Sequence, residues 1–359
     1  MAMSSSSSVT PQRRCCIRRT RWGTLEGKDV WLYTLSNSRS MSVEITNYGG
    51  IVKSIVTPDC HGIHGNIVLG FDSLAQYAEY NTPYMGAIIG RYANRIAQAR
   101  FPLGQRLCVL APNDSPNHLH GGVRGFDKVV WDSSAVRGDD AVGVALHYLS
   151  EDGQEGYPGN LEVKVTYLLT GENELSISYE AHTDQPTVLN LTHHSYFNLS
   201  AGKEDILNHQ LTLYSDYYTP TDDAWIPTGR IAAVAGTDMD FICPRSIGER
   251  ISHLKWGYNV NYILRKESDG AFCRAAIVRD PVSGRALEVF TTEPGLQLYT
   301  GDFLDGTLTG SGQVVLGKHM GLCLEAQHFP DAPNHPGFPS TLLRLGEIYT
   351  QRTVYQFLF

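Results

Sequence analysis

From Gly23 onward, apolar and polar residues alternate with a period of two. Leu161, Val163, Val165, Tyr167 and Leu169 fall on one side of an extended chain, with Glu162, Lys164 and Thr166 on the other. Past a turn at Gly171–Asn173 the pattern resumes: Leu175, Ile177, Tyr179 and Ala181 stand against Ser176, Ser178 and Glu180. Successive side chains of a strand point to opposite faces, so these two runs predict a β-hairpin with one buried face. A second hairpin is predicted from Ala275–Val278 to Ala286–Thr291, across turn-forming residues at Asp280–Gly284. Met41–Thr46 and Thr187–Thr192 read as further strands. Helical spacing is confined to two short stretches, Ser73–Tyr80 and Ser246–Leu254. Many strands at short spacing, separated by Gly, Pro and Asn turns, predict an all-β sandwich or barrel. There is no fixed repeat period, and no Pro- or Ser-rich linker interrupts residues 23–359. That stretch is expected to form a single domain.

Composition narrows the function more than the fold. With 42% hydrophobic and 18% charged residues, the 359-residue chain has the makings of an ordinary globular core. A net charge of -8 gives no reason to expect nucleic acid or an anionic membrane surface as partner. No apolar run reaches the roughly 18 residues of a membrane-spanning helix. The seven cysteines lack CxxC or Cys/His zinc spacing, which fits a reducing, cytoplasmic setting without structural metal. Cys108, Cys243, Cys273 and Cys323 are expected to be buried as small apolar residues. The first 22 residues are Ser-rich and then basic, with Arg13, Arg14, Arg18, Arg19 and Arg21 and no acid before Glu26. They are expected to be a disordered tail; their composition also matches an organelle transit peptide, while the apolar core of a secretory signal is missing.

Four stretches could carry acid–base chemistry. Gly90–Ile96 sets Arg91, Asn94 and Arg95 among small residues. Asn117–Gly122 places His118 and His120 before a glycine pair that lets backbone approach a ligand closely. Asn190–Leu199 carries His193 and His194 at the end of an apolar run, and Leu322–Pro330 carries Glu325 between leucine and alanine. A glutamate so flanked is predicted to be buried. Each cluster has a plainer reading: a histidine in a strand is most often a satisfied structural residue, and Arg91 and Arg95 could form surface salt bridges. Four such clusters in one chain would each cost stability unless their polar groups are paired.

These stretches resemble the motifs of aldose 1-epimerases (the galactose mutarotase family). The resemblance rests on Gly86–Ile96, on His118–Gly122 with Gly125–Lys128, on His194–Leu199, on Gly295–Gly301 followed by Phe303–Gly306, and on Glu325–Asp331. It runs in order over nearly the whole chain from Gly23. It implies a large antiparallel β-sandwich of the galactose mutarotase type. It implies an isomerase that interconverts the α and β anomers of a hexose such as galactose or glucose through the open-chain aldehyde, with no cofactor and no metal. By the same resemblance Glu325 is the base, His194 the protonated acid, and His120 an assistant near the ring oxygen. Asn94, Arg95, Asn259 and Gln297 match residues that bind or line the site of a small-molecule sugar, and a monomer is the family's default. The chemistry fits the residue types: an imidazole titrates near neutral pH, burial makes a carboxylate more basic, and arginine orients vicinal hydroxyls.

Two places depart from the family pattern. Where Gly-Tyr-Asp-His-Asn is usual, this chain reads Gly257-Tyr258-Asn259-Val260-Asn261, and His193 stands where asparagine is usual. Both changes are expected to touch the pocket, with Asn259 losing a charge and Val260 an imidazole. Four alternatives follow. The scaffold could act on a less polar lactol or hemiacetal. It could bind a sugar without turnover. It could be a cupin-like metalloenzyme using His118, His120, His194 and Glu325. It could be a hexose-phosphate epimerase, although no basic cluster outside the tail supplies the cations a phosphate needs.

Overall fold

The computed structural model describes residues 15–359. Of the expected tail, residues 1–14 lie outside the described residues. Residues 16–22 belong to a strand: Cys16–Leu25 pairs antiparallel with Lys28–Ser36 along its whole length. The domain therefore begins before Gly23. Alternation could not reveal this strand because it lies at a sheet edge, where the backbone ladder holds it and both faces stay largely exposed. Arg19 covers the Trp31 ring at 3.6 Å, so a basic residue does the packing there.

Three sheets make the body. A five-stranded sheet runs in chain order through Cys16–Leu25, Lys28–Ser36, Ser42–Thr46, Val52–Pro58 and His64–Asn66. A nine-stranded sheet contains both predicted hairpins, Leu161–Thr170 with Glu174–Thr183 and Cys273–Arg279 with Ala286–Thr291. The strand Tyr349–Leu358 lies between those hairpins and joins them. A second five-stranded sheet orders Ala232–Ala233, Ser215–Thr219, Asn259–Leu264, Gly295–Tyr299 and Cys323–Gln327. Among the described residues every ladder is antiparallel apart from an isolated bridge between Tyr92 and Asn190.

One contiguous apolar cluster fills the space between the sheets, so the architecture is an antiparallel β-sandwich. Val43 and Ile55 come from the first sheet, Val165, Tyr167, Ile177 and Leu287 from the nine-stranded sheet, and Leu296, Leu298 and Leu324 from the third. The face assignments in the hairpins follow the alternation: Leu161, Val163, Val165, Tyr167 and Leu169 are buried while Glu162 and Lys164 are exposed.

Several local expectations change. Thr187–Thr192 is not one strand but two short pairs, Thr187–Val188 with Leu342–Leu343 and Thr192–His193 with Ile88–Ile89. The chain bends between them so that Asn190 can bridge to Tyr92. Leu74–Tyr80 is a short α-helix capped by Ser73 in a capping box with Gln76. Ser246–Leu254 forms two 3₁₀ turns, Ile247–Glu249 and Ile251–His253. Cys108 and Cys323 are buried, but Cys243 is exposed, and Cys273 is half-buried at the first residue of its strand, where it packs on the margin of the apolar cluster.

Candidate active site

The floor of the site is one face of the third sheet. In its ladders Thr219 pairs with Asn261, Asn261 with Gln297, and Gln297 with Glu325. These four side chains form a polar row across four strands. The next row is Asn259, Tyr299 and Cys323. The intervening residues Val260, Leu296, Leu298 and Leu324 point the other way into the apolar cluster. Gly295 is required where the floor is tightest, since a Cβ there would lie 2.5 Å from Asn261 Oδ1.

Loops between the sheets wall this floor. Asn94, His120 and Tyr84 all take left-handed backbone, at φ of 64°, 52° and 61°, which non-glycine residues rarely adopt. The surrounding bonds hold two of them there. His120 N–H donates to the Asn94 carbonyl, and Asn94 N–H donates back to His120 Nδ1 at 3.2 Å. Gly121 follows with its α-carbon against the Gly90 carbonyl, where a Cβ would come within 1.8 Å. The Arg95 guanidinium is fixed by Asp114, Nε to Oδ2 at 2.7 Å, with the arginine side chain only 8% exposed. That is an ion pair, but a buried one at the cavity wall. Arg91 makes no such pair: its guanidinium is buried and donates to Ser150 Oγ and to the Ser150, Glu151 and Pro158 carbonyls. It is a structural clamp.

The result is a cavity of about 110 Å³ whose walls include Asn94, Arg95, His120, His194, Asn259 and Glu325. Gln297 adjoins it, donating from Nε2 to Asn259 Oδ1 at 2.7 Å. The seven residues that match the family's site, Asn94, Arg95, His120, His194, Asn259, Gln297 and Glu325, thus fall in or beside one cavity. Tyr84, Tyr196, Tyr299 and Phe303 complete the walls. Three of these aromatics lie inside the motif stretches, in the run after His194 and in the run Gly295–Gly306, but alternation alone could not aim them; Tyr84 had no signal. A wider hollow of about 840 Å³ lies against the outer face of the nine-stranded sheet, by Lys164, Arg352 and the His328–Glu293 pair, and includes none of the candidates.

Two expected pocket changes lie elsewhere. Val260 belongs to the apolar cluster on the opposite face of its strand, because neighbouring strand residues cannot share a face. His193 is buried away from the cavity, with Nε2 2.7 Å from Ser195 Oγ and its ring beside Tyr167 and Tyr355. Only Asn259 alters the pocket. His118 likewise leaves the proposed metal set: its Nδ1 meets the Ala111 carbonyl and its Nε2 the Tyr157 hydroxyl, each at 2.7 Å.

At the centre His194 Nε2 stands 3.6 Å from Glu325 Oε2. That is too long for a hydrogen bond, and Glu325 Oε2 has no hydrogen-bond partner among the described residues. Burial alone pushes the Glu325 carboxyl up to about 8. Burial also pulls the His194 imidazole down to about 4. His120 is lowered well below its ordinary value by burial, then by the neighbouring His194, Arg95 and Lys128. A dry site disfavours both charges, so burial favours the pair with its one proton on the carboxyl over the charged pair. One ligand atom each from His120, His194 and Glu325 lie within 4.8 Å of one another, so these three could also accept a divalent ion.

The family model described as aldose 1-epimerase matches residues 32–356. The chain is 44% identical to mouse galactose mutarotase over 346 residues, covering 95% of this chain and 98% of that protein. It is 38% identical to Escherichia coli aldose 1-epimerase over 340 residues, with coverage of 93% and 96%. A crystal structure of galactose 1-epimerase from Lactobacillus acidophilus superposes with a TM-score of 0.84 at 29% identity, covering 96% of this chain and 99% of that one.

Proposed function

The chain belongs to the aldose 1-epimerase family and interconverts the α and β anomers of an aldose, and we propose that Glu325 and His194 are its base and acid, acting on a hexose such as galactose or glucose. The observation that carries the residue assignment is the Glu325–His194 pair itself: a buried carboxyl and a buried imidazole, 3.6 Å apart at their nearest atoms, that both line one cavity.

In this reading the sugar's hydroxyls donate to Glu325 as it binds and offset the cost of its charge, so the shared proton moves to His194. The reaction then transfers two protons. The C1 hydroxyl gives one to Glu325 while His194 gives one to the ring oxygen, the C1–O5 bond breaks, and the aldehyde forms. The pair left behind is neutral, which is the state burial favours. Charge annihilation thus runs with ring opening and lowers its barrier. Rotation about C1–C2 and the reverse transfers close the ring on the other face. His120, with Nδ1 accepting from Asn94 N–H, presents Nε2–H to the substrate. Arg95 and Asn94 orient hydroxyls, and Asn259 with Gln297 receives the far side of the ring. Seven cysteines, all free thiols, support a reducing cytoplasmic setting.

Polarimetry on freshly dissolved α-D-galactose tests the assignment. Glu325→Gln and His194→Ala should each lower kcat by about 10³-fold, the scale of general acid–base catalysis. Retention of more than about a tenth of the wild-type rate by either would remove that residue from the mechanism. Activity that tracks stoichiometric zinc or manganese would instead favour the metal arrangement of His120, His194 and Glu325.

A further inference from the structure

The two imidazoles of the site differ in what meets their second nitrogen. His120 Nδ1 faces a backbone N–H, that of Asn94, at 3.2 Å. An amide N–H can only donate, so it fixes His120 in the neutral form with the proton on Nε2 and opposes its protonation. His194 Nδ1 faces a thiol: Cys323 Sγ lies 3.5 Å away. A sulfur lone pair can accept an Nδ1–H, which leaves Nε2 as the nitrogen that gains and loses the proton. Both residues are buried, Cys323 wholly, so water has no place in this contact.

No other side chain among the described residues hydrogen-bonds the His194 ring, and its own backbone carbonyl is a further acceptor near it. Tyr196 stacks on its ring at 5.2 Å with its hydroxyl donating to the Pro83 carbonyl. Tyr84 and His120 pack against it through their rings, at 6.1 and 5.2 Å between centroids. Glu325 faces the other nitrogen. The Cys323 position is set by the sheet, since it pairs with Tyr299 two residues before Glu325 and so points to the same face as the carboxylate.

We propose that Cys323 is a positioning residue whose thiol holds His194 by Nδ1 in both of its protonation states, so that Nε2 always faces the reacting atoms. This rests on His194 being the acid. A reversible isomerisation requires that histidine to gain and lose a proton in each half-reaction. His194 gives up and regains its proton on Nε2, so Nδ1 keeps its own proton in both states and donates it to a sulfur lone pair. A carboxylate in this place would favour the imidazolium over the neutral ring; an amide N–H would reverse the tautomer, as at His120. The thiol is never ionised, and no proton passes through it.

The test is a series at position 323 read by polarimetry, with melting temperature measured for each variant. Cys323→Ser keeps an acceptor for Nδ1–H and should stay within about threefold of the wild-type kcat. Cys323→Val and Cys323→Ala remove the partner and should lose about tenfold or more in kcat, with KM changed less than about twofold. Cys108→Ala, which removes a buried thiol in a separate cluster, gives the stability cost of such a deletion without touching the site. Nitrogen-15 spectra of the imidazoles should show the neutral His194 proton on Nδ1 in the wild type and a mixture of tautomers in Cys323→Val. A fully active Cys323→Val enzyme would overturn the proposal, as would a Cys323→Ser enzyme as slow as Cys323→Val. If His194→Ala were active, it is the acid–base assignment that would fall, whatever the position-323 series gave.

Discussion

Glu325 and His194 are shifted by burial in opposite directions, and this sets a particular pH profile. Between about 4 and about 8 the pair holds one proton, the count the reaction needs. Below that window both sites are protonated and no base remains; above it neither is and no acid remains. We expect kcat/KM to be level across the window and to fall about tenfold per pH unit outside it. A profile rising through 4.5 and falling through 6.5, the ordinary values of these groups, would show that the site is not dry. At Asn259 the missing charge is also measurable. Its Oδ1 already accepts from Gln297, and a carboxylate would accept from both Gln297 and a sugar hydroxyl. Asn259→Asp should lower KM for galactose by about three- to tenfold, since charge-assisted bonds are about twice as strong; an unchanged KM would mean the residue does not meet the sugar. Glu325 was legible in the sequence because leucine, cysteine and alanine around it leave no exposed reading. The misplacement of Val260 had an available corrective, for residues adjacent in a strand cannot both face one pocket. His193 and Cys323 were not legible in this way: their partners, Ser195 apart, lie far away in sequence.

Among the elements, those with one buried and one wet face announced themselves, and those without did not. The Leu161–Thr170 hairpin was read correctly because its alternation is strict. The strand Cys16–Leu25 was hidden by its exposure on both faces, and the two-residue pairs at Thr187–Val188 and Thr192–His193 are too short to have a period. The edge strand nevertheless matters. Trp22 and Leu25 pack on the second apolar cluster, and Arg18, Arg19 and Arg21 put charge on an edge that would otherwise invite pairing with another chain. Removing residues through Leu25 would bare the Lys28–Ser36 strand, which carries the buried Val30, Leu32, Tyr33 and Leu35. Calorimetry should show a melting temperature lower by roughly 5 °C, and size-exclusion chromatography should show concentration-dependent association. A shortened chain with unchanged melting and a sharp single peak would show that the edge needs no cover.

Over the whole molecule, the site depends on closures between distant parts of the chain. The wall comes from residues 82–120 and from His194 and Tyr196, and the floor from strands between residues 219 and 327, while the nine-stranded sheet is completed by the strand Tyr349–Leu358 in its middle. Sequence pattern identified which stretches were chemical but not that they would meet, because pairing partners are set by topology and not by local spacing. The floor itself has a further consequence. In Asn259–Leu264, Gly295–Tyr299 and Cys323–Gln327 the cavity and core residues interleave one by one, so these strands behave like a reading frame of two. Deleting a single residue ahead of Gln297 would carry Leu298 into the cavity and Gln297 into the apolar layer. Such strands tolerate exchange of side chains but not odd changes of length. The loops that bring Tyr84 and Phe303 to the rim have no such parity. New specificities on this scaffold are therefore open to two independent routes, loops that grow or shrink and a floor that changes letter by letter.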